Sequence, residues 1–221
     1  MTEHNLWVFV HILLFVYWLG GDLGVLLLAR AATQAKLSFA ERAFALKMAL
    51  LIDVTPRICF AVMFPVGLQI CRTGGFIEVQ TVWLIVSWLV AIAWIVLLLA
   101  TGKQQGTPLG ATLNRIHLLF QAVMLLIVGA LGLWSLLGEG PFLGGWLAAK
   151  VLLFGLIFSM GIGIDYAFRP VGPAFMRLAT EGSKPDIEAA IGRGVNGAIA
   201  YVLGLYALLV IIAFLGVTKP F

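Results

Sequence analysis

Eight polar side chains stand inside stretches that are otherwise almost wholly apolar: His11, Asp22, Asp53, Arg57, His117, Gln121, Lys150 and Asp165. A charged group at the centre of a membrane helix costs roughly 2.5–3.5 kcal/mol on insertion scales, so each of these needs a partner or a purpose. His11, between Val10 and Ile12, is too short to reach an aqueous surface. An imidazole held in an apolar helix bundle is a good axial ligand for a haem iron, and a bundle interior can enclose a flat apolar macrocycle. Asp22 and Arg57 suit an ion pair between neighbouring helices or a step on a proton path. Asp53 and Asp165 fall where the bilayer boundary could solvate them. Lys150 is long enough to snorkel to headgroups, and His117, close to Arg115, suits an interfacial position as well as a ligand role. Cys59 and Met63, at i and i+4, offer a thiol and a thioether, the ligand types that select Cu(I). That spacing is equally the spacing of two packing residues.

Long hydrophobic helices must position these groups. Of 221 residues, 62% are hydrophobic and 11% charged, and the mean hydropathy is +1.08. A soluble domain has about a quarter of its residues charged, so a water-soluble enzyme, a nucleic-acid-binding domain and a disordered chain are excluded. A hydrocarbon core about 30 Å thick requires around 20 apolar residues per helix. Six stretches meet or nearly meet that demand, at about 6–29, 49–70, 81–100, 116–137, 146–168 and 195–217, within one all-α transmembrane domain covering 1–221. The first lacks a basic segment before it and a small-residue cleavage pattern, and reads as a retained helix. Ser38 to Glu41 fits a capping box that starts the second helix near Phe39, with Arg42 and Lys47 reaching toward headgroups. Pro185, followed by Asp186 and Glu188, reads as the start of a short helix leading into the last span. Gly20 and Gly24 on the first helix are spaced for close helix contact. Cys59 and Cys71, on one helix and about 18 Å apart along its axis, are too far apart to form a disulfide.

The net charge is +4, and the basic residues report topology. The first, third and fifth loops hold Arg30, Lys36, Arg42 and Lys47, then Lys103 and Arg115, then Arg169, Arg177, Lys184 and Arg193, whereas the other loops and the tails hold only Arg72 and Lys219. The positive-inside rule therefore puts both termini on the non-cytoplasmic side of a bacterial-type cytoplasmic (inner) membrane. On that topology His11 lies about 8 Å and Lys150 about 6 Å below the outer boundary, in one layer. Asp22, Asp53, Arg57, His117, Gln121 and Asp165 form a second layer near the cytoplasm. At about 100° per residue, His11, Trp18 and Asp22 share one stripe of the first helix. His11 and His117 are separated in depth by about 16 Å, which disfavours both ligating one iron. This leaves one haem at His11, with Lys150 or water opposite the imidazole or Lys150 against a propionate, and a second candidate site near His117.

Four short segments, in order, carry a family resemblance. His11 to Gly21, HILLFVYWLGG, resembles the first helix of the CopD and HemJ-type membrane proteins, in which a histidine is followed about seven residues later by Trp and small residues. Thr55-Pro56 is similar to the Thr-Pro of the HemJ group. Trp146-Leu-Ala-Ala-Lys150-Val-Leu-Leu resembles that group's Trp-Leu-x-x-Lys-Leu, and Lys219-Pro220-Phe221 resembles its Lys-Pro-Phe ending. The resemblance implies a small haem-b-containing membrane protein of the protoporphyrinogen oxidase type, with His11 and Lys150 as the functional pair. The segment 81–137 departs from the compact oxidases, which do not have these two helices in this form. The broader CopD-like group also includes proteins linked to copper handling and the membrane portion of a urate-oxidising protein.

The expectation is a haem-b-binding redox protein that transfers electrons or oxidises a small substrate such as a porphyrinogen. His11, Trp18, Lys150 and His117 are the candidate cofactor-binding residues, His11 is the iron ligand, and Asp22, Asp53, Arg57 and Asp165 are a structural or proton-path cluster. Beyond the lipid bilayer, the expected partners are a quinone or another redox carrier and a second copy of the chain, and not nucleic acid. A copper transport or resistance protein using Cys59 and Met63, and an accessory subunit without chemistry of its own, are the alternatives.

Overall fold

A computed structural model describes residues 2–142 and 144–220, so Phe221 of the Lys-Pro-Phe match lies outside the described residues. Seven helices follow in order: α1 Glu3–Ala32, α2 Phe39–Thr73, α3 Thr81–Lys103, α4 Pro108–Leu136, α5 Gly145–Phe168, α6 Val171–Glu181 and α7 Pro185–Thr218. No strand occurs among the described residues. The protein is an all-α, multi-pass membrane protein: six helical stretches, with α6 continuing from α5, are long and apolar enough to cross a bilayer. Large aliphatic and aromatic side chains stay exposed along them, from Leu6 and Phe9 to Phe214 and Val217. Lipid chains solvate such a surface.

Local chemistry sets the helix ends. Thr2 caps α1 by accepting from the Asn5 N–H, with Glu3 in the first turn and Arg30 in the last, where each charge complements the helix dipole. The Ser38–Glu41 capping box is present in both directions and starts α2 at Phe39. Thr107 caps α4, with Pro108 in the first turn. Two expectations change. Pro185 starts α7 itself, one continuous 34-residue helix in place of a short helix and a separate span. A separate short helix, α6, precedes it: Val171, Ala174, Phe175 and Leu178 are buried at i, i+3, i+4 and i+7, an amphipathic pattern too brief to stand out beside the long apolar runs.

The longest contacts join α1 to α2, α4 to α5 and α5 to α7, whereas α3 packs more lightly on α2 and α4, and α1 barely touches α7. Aromatic rings fill the centre. Phe60 stacks on Trp18 with centroids 4.8 Å apart and meets Trp94 at 4.9 Å, Phe158 at 4.6 Å and Phe154 at 5.4 Å. The glycines of closest approach are not the pair expected. Gly20 has open space beside its Cα and Gly24 only ordinary contact with Ile52, whereas Gly21 abuts the Pro56 ring. On α4 and α5, a Cβ added at Gly132 or Gly155 would run into the backbone of the facing helix. Gly155→Val is therefore expected to cost about 1–3 kcal/mol through overpacking, read as a lower thermal midpoint in detergent. Gly20→Ala, at the open position inside α1, should not lower the midpoint and should raise it slightly, through a gain of up to about 1 kcal/mol in helix propensity.

Both described termini lie at one end, the terminal face: His4 Nδ1 is 3.1 Å from Thr73 Oγ1, and the Lys219 ammonium lies over Phe76. At the opposite end Arg42 does not extend to headgroups. It is buried at 2% exposure and forks onto Glu188, with both N···O distances 2.8 Å, while its Nε–H donates to the Ala32 carbonyl and its guanidinium lies over Phe175. One side chain thus joins α1, α2, α6 and α7. The short, partly buried Glu188 on the first turn of α7 supplies the partner that the sequence reading overlooked.

Candidate functional site

The chemistry-bearing residues fall into two groups along the bundle. Toward the terminal face, α1 contributes His11, α2 Cys71, α5 Lys150, and the end of α7 Lys219. His11 packs near Gly67 of α2, and its Nδ1 is buried without a hydrogen-bond partner among the described residues. A buried polar atom in that condition costs about 1–3 kcal/mol unless something else meets it. The Lys150 ammonium is near enough for its charge to act on the imidazole and on the Cys71 thiol. Its Nζ lies 6.0 Å from the centroid of the Trp146 ring, one turn earlier on α5.

Trp18, next on the stripe, is buried in the aromatic core and directs its indole toward Asp22 one turn on. Around Asp22 the second group begins. The pairing within it differs from the expected one. Arg57 does not form an ion pair with Asp22: its Nε–H donates to Asp53 Oδ2 at 2.6 Å and its Nη2 to Asp165 Oδ1 at 3.3 Å. Asp53 wins because it stands one turn before Arg57 on the same helix, where i,i+4 side chains meet without any docking of helices. Asp22 remains close enough to feel both charges.

Nor are Asp53 and Asp165 boundary carboxylates in free contact with solvent, since their side chains are 24% and 16% exposed. Asp165 on α5 gathers the cluster. Its Oδ2 accepts from Gln121 Nε2 at 3.1 Å and lies 3.5 Å from His117 Nε2. Trp94 Nε1 donates to His117 Nδ1 at 3.3 Å. Gln121 Nε2 stands 2.9 Å from His117 Nε2. An indole N–H and an amide NH2 both only donate, and a neutral imidazole accepts at one nitrogen, so the ring answers one of these two donors. Both ring nitrogens of His117 are thus directed at groups of the protein itself, in contrast to His11.

Two participants escaped sequence reasoning. Trp94 looks like any other aromatic residue of an apolar helix, and only its packing against His117 reveals a donor. Tyr206 on α7 is close enough to Asp22 for the two to interact electrostatically, and its hydroxyl is buried without a hydrogen-bond partner among the described residues. Tyr206 also lines a shallow apolar groove between α1 and α7, with Phe15, Leu19, Gly20 and Val210. Cys59 and Met63 are both buried in the apolar core, and no three His, Cys, Asp or Glu side chains among the described residues converge as a metal-ion site. Compared with protein families, curated proteins and solved structures, the chain matches none.

Proposed function

We propose that this chain is a haem-b-binding redox protein of a bacterial-type cytoplasmic membrane, with His11 as the iron ligand and Lys150 as its companion in the same layer. The observation that carries the reading is the buried, partnerless imidazole nitrogen of His11. Both ring nitrogens of His117 face polar groups of the protein, whereas His11 Nδ1 meets none among the described residues. The donor set fits haem, because one imidazole with an ammonium nearby offers both a neutral nitrogen ligand and a counter-charge for a propionate. When bound, haem b supplies reversible one-electron chemistry at iron.

The chain's own residues do the rest. His11 fixes the ligand position on α1, and the aromatic core below it keeps water away. Lys150 would hold a carboxylate of the bound group or offer it a second donor. Arg57 balances Asp53 and Asp165 deeper in the bundle, and His117 with Gln121 keeps a proton within reach of Asp165. A membrane quinone or another redox carrier completes the electron path, and a porphyrinogen is the substrate class suggested by the resemblance to HemJ-type proteins.

The test is the visible spectrum of the detergent-purified protein. The expected result is a Soret band that shifts on reduction and disappears in His11→Ala while circular dichroism shows the helices intact. Loss of the band in His117→Ala but not in His11→Ala would reverse the assignment. Stoichiometric copper without haem, or a colourless, metal-free protein from haem-replete cells, would overturn it.

A further inference from the structure

We propose that Lys150 and Lys219, set over the aromatic pair Trp146 and Phe76, form a receptor for an oxyanion, a carboxylate or a phosphate, at the terminal face. Two ammonium groups from different helices converge on one indole: Lys150 Nζ is 6.0 Å and Lys219 Nζ 5.5 Å from the Trp146 ring centroid. Lys219 also lies 4.5 Å over Phe76, which meets Trp146 edge to face at 5.5 Å. Like charges repel, and the ion pairs among the described residues give neither lysine a carboxylate partner. Glu3 is occupied elsewhere, by Trp7 Nε1 and Gln69 Nε2.

The end of α7 is shaped for this arrangement. Lys219 is the one non-glycine residue with positive φ among those described, at φ 45° and ψ 59°. Glycine or asparagine is the easy occupant of a left-handed helix cap, so a lysine there directs a long cation at a conformational cost. One turn earlier, Gly216 leaves open the space that the Lys150 ammonium uses, since an added Cβ would come within 2.5 Å of Nζ. The aromatic faces stabilise the two cations without neutralising them. No carboxylate among the described residues answers them, and an oxyanion between the two ammonium groups supplies charge-assisted hydrogen bonds to both.

The site shares the terminal face with the haem reading but does not depend on iron, so it is tested on the full-length protein as purified. Detergent-purified full-length chain is offered phosphatidylglycerol against phosphatidylcholine, read by native mass spectrometry. In parallel it is offered inorganic phosphate and succinate against chloride at equal ionic strength, read by tryptophan fluorescence. The expected result is a preference of about tenfold for the oxyanion in at least one arm, falling more than about threefold in K150Q/K219Q but not in K219R. Preference in the first arm identifies a lipid headgroup, and in the second a free anion. No preference in either arm, or a preference that the double variant leaves within threefold, overturns the proposal. The Soret experiment stands or falls separately.

Discussion

Glu188→Ala is expected to destabilise the bundle by about 3–5 kcal/mol, the range for leaving a buried charge without its partner. Arg42 is 2% exposed and, among the described residues, has no second carboxylate in contact, so truncating Glu188 strands a guanidinium among Ala32, Phe175 and the ends of α2 and α7. The reverse substitution separates this account from a general packing effect. Arg42→Leu fills the space with apolar atoms and leaves Glu188, 21% exposed, able to reach water, so its cost should be distinctly smaller. Thermal unfolding in detergent, followed by circular dichroism, measures both. Equal losses, or no loss for Glu188→Ala, would contradict a desolvated guanidinium that depends on this one carboxylate.

Arg57→Met is expected to be nearly as damaging. It removes the one cation that, among the described residues, bridges Asp53 and Asp165, and leaves two carboxylates facing one another inside the bundle. A third of the Arg57 side chain is exposed, which puts the cost toward the lower end of about 3–5 kcal/mol. Adding Asp165→Asn to Arg57→Met should recover part of the loss, a coupling of about 0.5–3 kcal/mol in a double-mutant cycle. Arg57→Lys should not restore full stability, because a single ammonium lacks the planar fork that reaches a carboxylate on its own helix and one on α5 together. Strict additivity across the cycle would mean that Arg57 and Asp165 do not act on each other.

The long elements were legible because a bilayer demands twenty apolar residues in a row and this chain repeats that demand six times. Helix starts were legible wherever a side chain caps them, as at Ser38. α6 was missed although its i, i+3, i+4, i+7 pattern is plain, since a single hydrophobic face of eleven residues carries little weight next to spans twice as long. The partners of Arg57 and Arg42 were not legible. Depth along a helix follows from counting residues, but which face meets which neighbour depends on rotation about the axis, and that is set by packing at Gly21, Gly132 and Gly155. Trp94 and Tyr206 were hidden for a related reason: their polar atoms matter only once docking has chosen His117 and Asp22 as their neighbours.

Toward the Arg42 end α1 and α7 share a buried apolar cluster, with Leu26 and Ala29 among Ile191 and Val195. Nearer the middle of the bundle a shallow groove parts them, where Phe15, Leu19 and Val210 form walls and Tyr206 stands at the margin. Such a seam opens sideways onto acyl chains instead of endwise onto water. A molecule already dissolved in the lipid therefore reaches this flank of the bundle by diffusing in the plane of the bilayer, without shedding a hydration shell, and its supply depends on how it partitions into the membrane more than on its aqueous concentration.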